Sequence, residues 1–260
     1  MPHLIALPGT LLDGESLTDA LSSATAVLAQ RGIVLTTQIE VLGLAPSLPL
    51  ECDRLSALVG SREPVWWLGH SLGAIVALAI ARRTPTAVQG LICLASTARA
   101  DAPGNLSIRQ TQLRRAEVDG HPKSVSLELK NVFGVDEGSA LGRQLMAQAE
   151  RVGLERYRLQ TLYAISREDQ REKGRLNCPI LAISGSHDAL CPPDRSVEIA
   201  ALSSRSRVIE LTGAGHLLAS THADAIGHQV AEFIAMIDAT TATSTGKSSV
   251  ALIYAGSRHA

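Results

Sequence analysis

Short apolar runs alternate with stretches of helical spacing along most of the chain. Residues 4–7 form an apolar run closed by Pro8-Gly9, which predicts a buried strand ending in a turn. Residues 15–31 carry Leu17, Leu21 and Leu28 at helical spacing and stop at Gly32, and 33–42 are rich in β-branched residues, as a strand is. A helix over 48–59, a strand over 65–68, a helix of small residues over 71–83 and a strand over 88–95 follow. After Ala95 the alternation stops. Residues 97–175 are more charged and helix-like, with amphipathic stretches at 107–118 and 141–166. The alternation then resumes with strand 179–184, helix 192–202, strand 206–211 and helix 221–237. Apolar strands with helices between them need a parallel sheet covered on both faces. The expected organisation is an α/β core of residues 1–96 and 177–238, interrupted by a helical cap insertion at 97–176.

Residues 239–260 read as a flexible C-terminal tail, Thr/Ser/Ala-rich over 239–249, and the sequence does not decide whether 250–254 packs on the body or a neighbour. Within it, Thr245-Gly246-Lys247-Ser248 invites a phosphate-loop reading. That motif needs a glycine at 241, where the chain has Thr, so the reading is rejected.

Composition narrows the function. The chain has 260 residues and a net charge of −1, with 45% hydrophobic and 3% aromatic residues. This is a globular composition with no global attraction for nucleic acid or an anionic membrane, and too few aromatics for a base-stacking platform. Cys52, Cys93, Cys178 and Cys191 show no CxxC or Cys/His zinc spacing, so neither metal nor cofactor is expected. The N-terminus lacks a basic segment and a long apolar run, and the longest apolar stretch, 74–81, is far too short to span a membrane. A soluble, cytoplasmic protein is the expectation.

The sharpest motif is Gly69-His70-Ser71-Leu72-Gly73, between a predicted strand and a predicted helix. In a tight strand–turn–helix, side chains at 69 and 73 would collide with the neighbouring strand and helix, while Ser71 sits strained at the apex. The helix N-terminus below it favours developing negative charge. A serine hydroxyl needs a base, and the base needs an orienting acid. His216, in Thr212-Gly213-Ala214-Gly215-His216, follows the last predicted strand at the sheet edge that also carries Ser71. His70 is expected to point away from Ser71. Asp188, in Ser184-Gly185-Ser186-His187-Asp188, is the expected acid, with Asp101 as its competitor. An oxyanion hole needs two backbone N–H donors. Leu72 supplies one, and the turn at Pro8-Gly9-Thr10-Leu11 supplies the other, with Thr10 preferred and Leu11 second.

The motifs at 69–73, 185–188 and 213–216, in the order Ser71, Asp188, His216, resemble those of the α/β-hydrolase superfamily, within it the small serine esterases with a helical cap. The resemblance covers residues 3–237. It implies a mostly parallel sheet and a carboxylic ester hydrolase working through an acyl-serine intermediate. Two departures matter. The family's first turn is often His-Gly and here is Pro8-Gly9. The chain also starts almost directly with the strand before that turn, so about six strands are expected rather than eight. A nucleophilic Ser71 argues against the dehalogenase and epoxide-hydrolase branches, which place Asp there. Thioesterases, lactonases, C–C hydrolases and perhydrolases share the triad; a non-catalytic binding protein can also keep the fold, but an intact triad argues against that reading.

Residues 97–176 contain 14 basic and 11 acidic residues, a surplus of three positive charges, which leaves the rest of the chain at −4. A basic lid over the pocket resembles enzymes acting on acyl-carrier proteins, such as pimeloyl-carrier-protein methyl ester esterases and type II thioesterases. It makes an acyl-carrier protein the alternative partner to a small acyl ester, with Arg114 and Arg115 as candidate contacts. A solvated helix face of mixed charge is the plainer explanation. The low aromatic count predicts a mostly aliphatic pocket, with Phe133, Tyr157 and Tyr163 the aromatics of the lid.

Overall fold

A computed structural model describes residues 1–60 and 63–244. Six strands, β1 (His3–Leu7), β2 (Thr36–Ile39), β3 (Val65–His70), β4 (Val88–Leu94), β5 (Ile180–Gly185) and β6 (Ser206–Leu211), pair side by side in the order β2-β1-β3-β4-β5-β6. Every pairing is parallel, as the expected sheet requires. The central strands are apolar without alternation because both faces are buried. Ile5, Trp67, Leu91, Cys93 and Ala182 point to one core, with α2 (Leu48–Ala57), α3 (Leu72–Arg83) and α7 (Pro193–Ala200). Leu4, Ala6, Trp66, Leu68, Ile92 and Ile183 point to the other, against α1 (Glu15–Gln30) and α9 (Ala223–Ser244). A short helix, α8 (Leu218–Thr221), precedes α9. The strand predicted over 33–42 shortens to β2, an edge strand whose residues are mostly only partly buried.

Between β4 and β5 run three helices: α4 (Asn105–Val118), α5 (His121–Phe133) and α6 (Ala140–Ser166). The helix-like reading of 97–175 covers all three, but the amphipathic stretches named within it match α4 and α6 and not α5. The helix predicted over 141–166 is broken at Gly153, where φ 74° and ψ 168° leave the helical region. These helices share a third apolar cluster, including Ala116, Val125, Leu129, Leu145 and Tyr157, into which Leu11, Leu12 and Leu217 of the body loops reach.

Polar anchors tie residues 97–176 to the body, and one of them ends on a loop that the body's own Glu51 holds. Tyr163 donates to the Ala45 carbonyl, and the buried Glu51 carboxylate accepts from Gly43 N at 3.2 Å and Ala45 N at 2.9 Å. Arg151 pairs with Asp13 and Glu15, and Arg99 and Arg171 with Glu198. The positive surplus of 97–176 is thus partly met by acids of the body. The last helix, predicted to end at 237, continues to Ser244, so the first residues of the predicted tail are helical. The 245–248 motif and the 250–254 stretch lie outside the described residues. Among the described residues no helix is long and apolar enough to cross a membrane.

Candidate active site

The turn from β3 into α3 places Ser71 at φ 52° and ψ −112°, a left-handed backbone that few non-glycine residues adopt. Close packing enforces it. A Cβ at Gly69 would lie 2.2 Å from Ala74 N, and one at Gly73 would lie 2.0 Å from the Leu7 carbonyl oxygen. The turn is pinned further by Ser71 N donating to Leu94 O at 2.8 Å and Ser96 Oγ donating to Ser71 O at 2.8 Å.

Ser71 Oγ lies 3.0 Å from His216 Nε2, and His216 Nδ1 lies 2.8 Å from Asp188 Oδ2. An ionised carboxylate only accepts, so Nδ1 carries the imidazole proton and Nε2 accepts from the Ser71 hydroxyl. Asp188 is itself fixed: its other oxygen accepts from Leu190 N and Cys191 N, each at 2.9 Å. The loops carrying the acid and the histidine are held together by His187 N donating to Ala214 O at 2.9 Å and Gly213 N donating to Ser186 Oγ at 2.9 Å. Gly185 permits this approach, since a Cβ there would lie 2.2 Å from Ala214 O.

The competing acid, Asp101, is engaged elsewhere. Its carboxylate accepts from Arg109, Asn105 and Arg167. Burial would raise its pKa, but these partners outweigh burial and lower it.

The two expected oxyanion donors on the Pro8–Leu11 turn fare differently. Leu11 N donates to Gln160 Oε1 at 2.9 Å, so this N–H is spent on α6. The Thr10 N–H has no hydrogen-bond partner among the described residues. Leu72 opens α3, where a first-turn N–H has no acceptor within the helix. Thr10, Leu72, Ser71 and His216 line one cavity of about 290 Å3 between the sheet edge and the inserted helices.

Three residues in or beside this cavity were given no part in the chemistry by the sequence. Gln160 lies 149 positions from the turn it holds, and its Nε2 donates to Leu42 O at 3.1 Å. Phe133 of α5 stacks on the His216 ring, with centroids 5.8 Å apart. His70, expected to point away from Ser71, lines the same cavity, and its Nε2 lies 2.9 Å from the His216 carbonyl oxygen. A carbonyl only accepts, so Nε2–H donates and Nδ1 is bare, with no partner among the described residues. Burial, reinforced by the neighbouring His216, lowers the His70 pKa to about 4.

Cys191 sulfur, Asp188 and His216 offer ligand atoms within 4.8 Å of one another. Asp188 and His216 already pair with each other, and burial pushes the Cys191 thiol up to about 12. A thiol ligand must be deprotonated, so this donor set fits a metal poorly. The cavity wall is mainly aliphatic, as expected, with Leu12, Ile75, Leu129 and Leu145 among its residues and Phe133 and Tyr157 as its aromatics. Tyr163 is instead buried against Ala45.

The comparisons with known proteins agree with this architecture. The pimeloyl-[acyl-carrier protein] methyl ester esterase of Neisseria meningitidis serogroup B is 28% identical over 176 residues, covering 64% of this chain and 67% of that protein. The enzyme of the same name from Sodalis glossinidius is 29% identical over 185 residues, covering 64% and 69%. Among solved structures, a thermophilic esterase from Thermogutta terrifontis matches with a TM-score of 0.74 at 20% identity, over 91% of this chain and 90% of that one. The enol-lactonase from Burkholderia xenovorans LB400 matches at 0.72 and 18% identity, over 90% and 91%. Likeness at that identity speaks for the fold alone. The alpha/beta hydrolase fold family matches residues 54–223, a span that contains Ser71, Asp188 and His216, and this chain belongs to that family.

Proposed function

We propose that the protein is a carboxylic ester hydrolase that works through an acyl-serine intermediate. The observation that carries this reading is the hydrogen-bonded chain Ser71–His216–Asp188, at 3.0 and 2.8 Å, on a strained turn facing the cavity. Ser71 Oγ attacks the ester carbonyl carbon while His216 Nε2 takes the hydroxyl proton. Asp188 holds the imidazole in the required tautomer and stabilises the imidazolium. The tetrahedral oxyanion accepts from the Leu72 and Thr10 N–H groups, each such donor contributing about 3 kcal/mol to the transition state. As the intermediate collapses, His216 gives its proton to the departing alkoxide and the alcohol leaves. Water then attacks the acyl-serine with His216 again as base, releasing the acid and restoring Ser71.

Ser71→Ala removes the attacking atom and leaves the turn's backbone in place. Turnover of a short-chain 4-nitrophenyl ester is expected to fall at least about a thousandfold. The circular dichroism of the folded protein is expected to be retained. Activity within a few-fold of the native protein would mean that another group carries the reaction.

A second reading, an ester or thioester carried on an acyl-carrier protein, is favoured by the names of the relatives and by Arg114 and Arg115, which are exposed on α4. Under it, Arg114→Glu with Arg115→Glu lowers kcat/KM for carrier-linked esters about tenfold or more and leaves free methyl esters unaffected. Equal effects on both substrates would remove this reading and leave the first intact.

A further inference from the structure

Helix α4 is turned the unusual way round. Asn105, Arg109 and Gln112, at spacings of four and three residues, share one face, and all three line the cavity. Its Leu106 and Ile108 are instead exposed. An apolar cavity wall that presents a polar helix stripe is built for a ligand with a polar end.

The charges there do not cancel. Arg109 and Arg167 both line the cavity and share the single carboxylate of Asp101, at 2.7 Å from Arg109 Nε and 2.9 Å from Arg167 Nη2. Each guanidinium nitrogen of Arg167 has a partner, since its Nε and Nη1 donate to the carbonyls of Arg99 at 3.0 Å and Ala164 at 2.8 Å. Arg109 gives Nε and Nη2 to Asp101, but its Nη1 has no hydrogen-bond partner among the described residues. Neither has the Gln112 amide. Two guanidiniums on one carboxylate leave one positive charge at the wall, with spare donors beside it.

We infer that Arg109, with Gln112 beside it, forms a subsite for a carboxylate borne by the substrate at the end remote from the ester. The favoured substrates are then half-esters of aliphatic dicarboxylic acids, with the chain lying along Leu129 and Leu145. One surplus charge suits a monoanion. Asp101 holds the guanidinium in place and keeps the surplus to one. This inference rests on the reading of Ser71 as the ester-cleaving group, and its test separates the two.

The experiment compares methyl hydrogen adipate with methyl hexanoate, which has the same acyl length without the second carboxylate, by release of methanol. The native protein is expected to favour the half-ester in kcat/KM by about tenfold or more, as a charge-assisted hydrogen bond allows. Arg109→Gln is expected to remove that preference, and Arg109→Lys to keep part of it. In a Ser71→Ala background, where no turnover is needed, calorimetric binding of methyl hydrogen adipate is expected to weaken about tenfold on Arg109→Gln. A half-ester preference unchanged by Arg109→Gln, or a native preference for methyl hexanoate, overturns the subsite. Arg109-dependent binding with no turnover of either ester upholds the subsite and removes the esterase reading instead.

Discussion

In β4, the neighbours Ile92 and Cys93 face opposite cores and neither meets solvent. In α4, fourteen residues long, Ala116 is the one buried residue. The sheet body is fixed by burial on both faces, and most changes there are felt as packing. The inserted helices gather around a smaller cluster that includes body residues, and their inward faces are shared between packing and the cavity wall. The body therefore holds Ser71, His216 and Asp188 in place, while the inserted segment supplies much of the cavity wall beside them. The two are joined at many polar points, and those of Gln160 on Leu11 N and Leu42 O and of Tyr163 on Ala45 are buried.

Substitutions can break or sharpen this contrast. The largest effect is expected at the body's tightest point. Gly73→Ala puts a methyl 2.0 Å from the Leu7 carbonyl, a backbone atom that cannot move aside. It should cost more than about 4 kcal/mol or prevent folding, read by urea unfolding. A cost near 1 kcal/mol would mean the strand–helix contact can relax and the body is less rigid than described.

His70 gives the next effect, through pH. Its folded pKa, near 4, lies below the 6.5 of the unfolded chain. As pH falls from 6.5 toward 4, the unfolded state gains a proton that the folded state refuses. Stability that is present above pH 6.5 is lost over that window, by at most roughly 3 kcal/mol. His70→Gln, which keeps a donor for the His216 carbonyl but does not titrate, should flatten the pH dependence of the unfolding midpoint. An unchanged slope would place the acid sensitivity elsewhere.

A smaller effect is expected at the joint between the two regions. Gln160→Leu leaves Leu11 N–H buried without an acceptor, at a cost of about 1 to 3 kcal/mol. It should also lower kcat more than it raises KM for a simple ester, because the turn carrying the Thr10 N–H loosens. A stability loss with unaltered kcat would limit Gln160 to a structural role.

The body was legible in the sequence because its signals are local. A run such as Leu4 to Leu7 can only be buried, and Gly69 and Gly73 mark a close approach whichever strand and helix are involved. Asp188 and His216 were legible because each follows a strand whose carboxyl end lies at the edge that carries Ser71. In the inserted segment those signals fail. The helix-like reading of 97–175 did not single out α5 and ran α6 through Gly153, a glycine that nothing in the local pattern marks as a break. His70 was misjudged for a related reason. Its sequence neighbour is Ser71, but its hydrogen-bond partner is the carbonyl of His216, 146 positions away.

The sequence by itself determined the alternation of strand and helix, the strained turn at Ser71 and the identity of its two partners. These follow from sterics and from which side chains can give or take a proton. Only the tertiary structure spends the Leu11 N–H on Gln160, which favours Thr10 over Leu11 as the proposed oxyanion donor. It also bound Asp101 to Arg109 and Arg167 and turned the polar stripe of α4 toward the cavity. The physical reason is that a hydrogen bond or an ion pair is a property of two groups in space. Where the groups are far apart along the chain, neither one's neighbours in sequence carry any trace of the other.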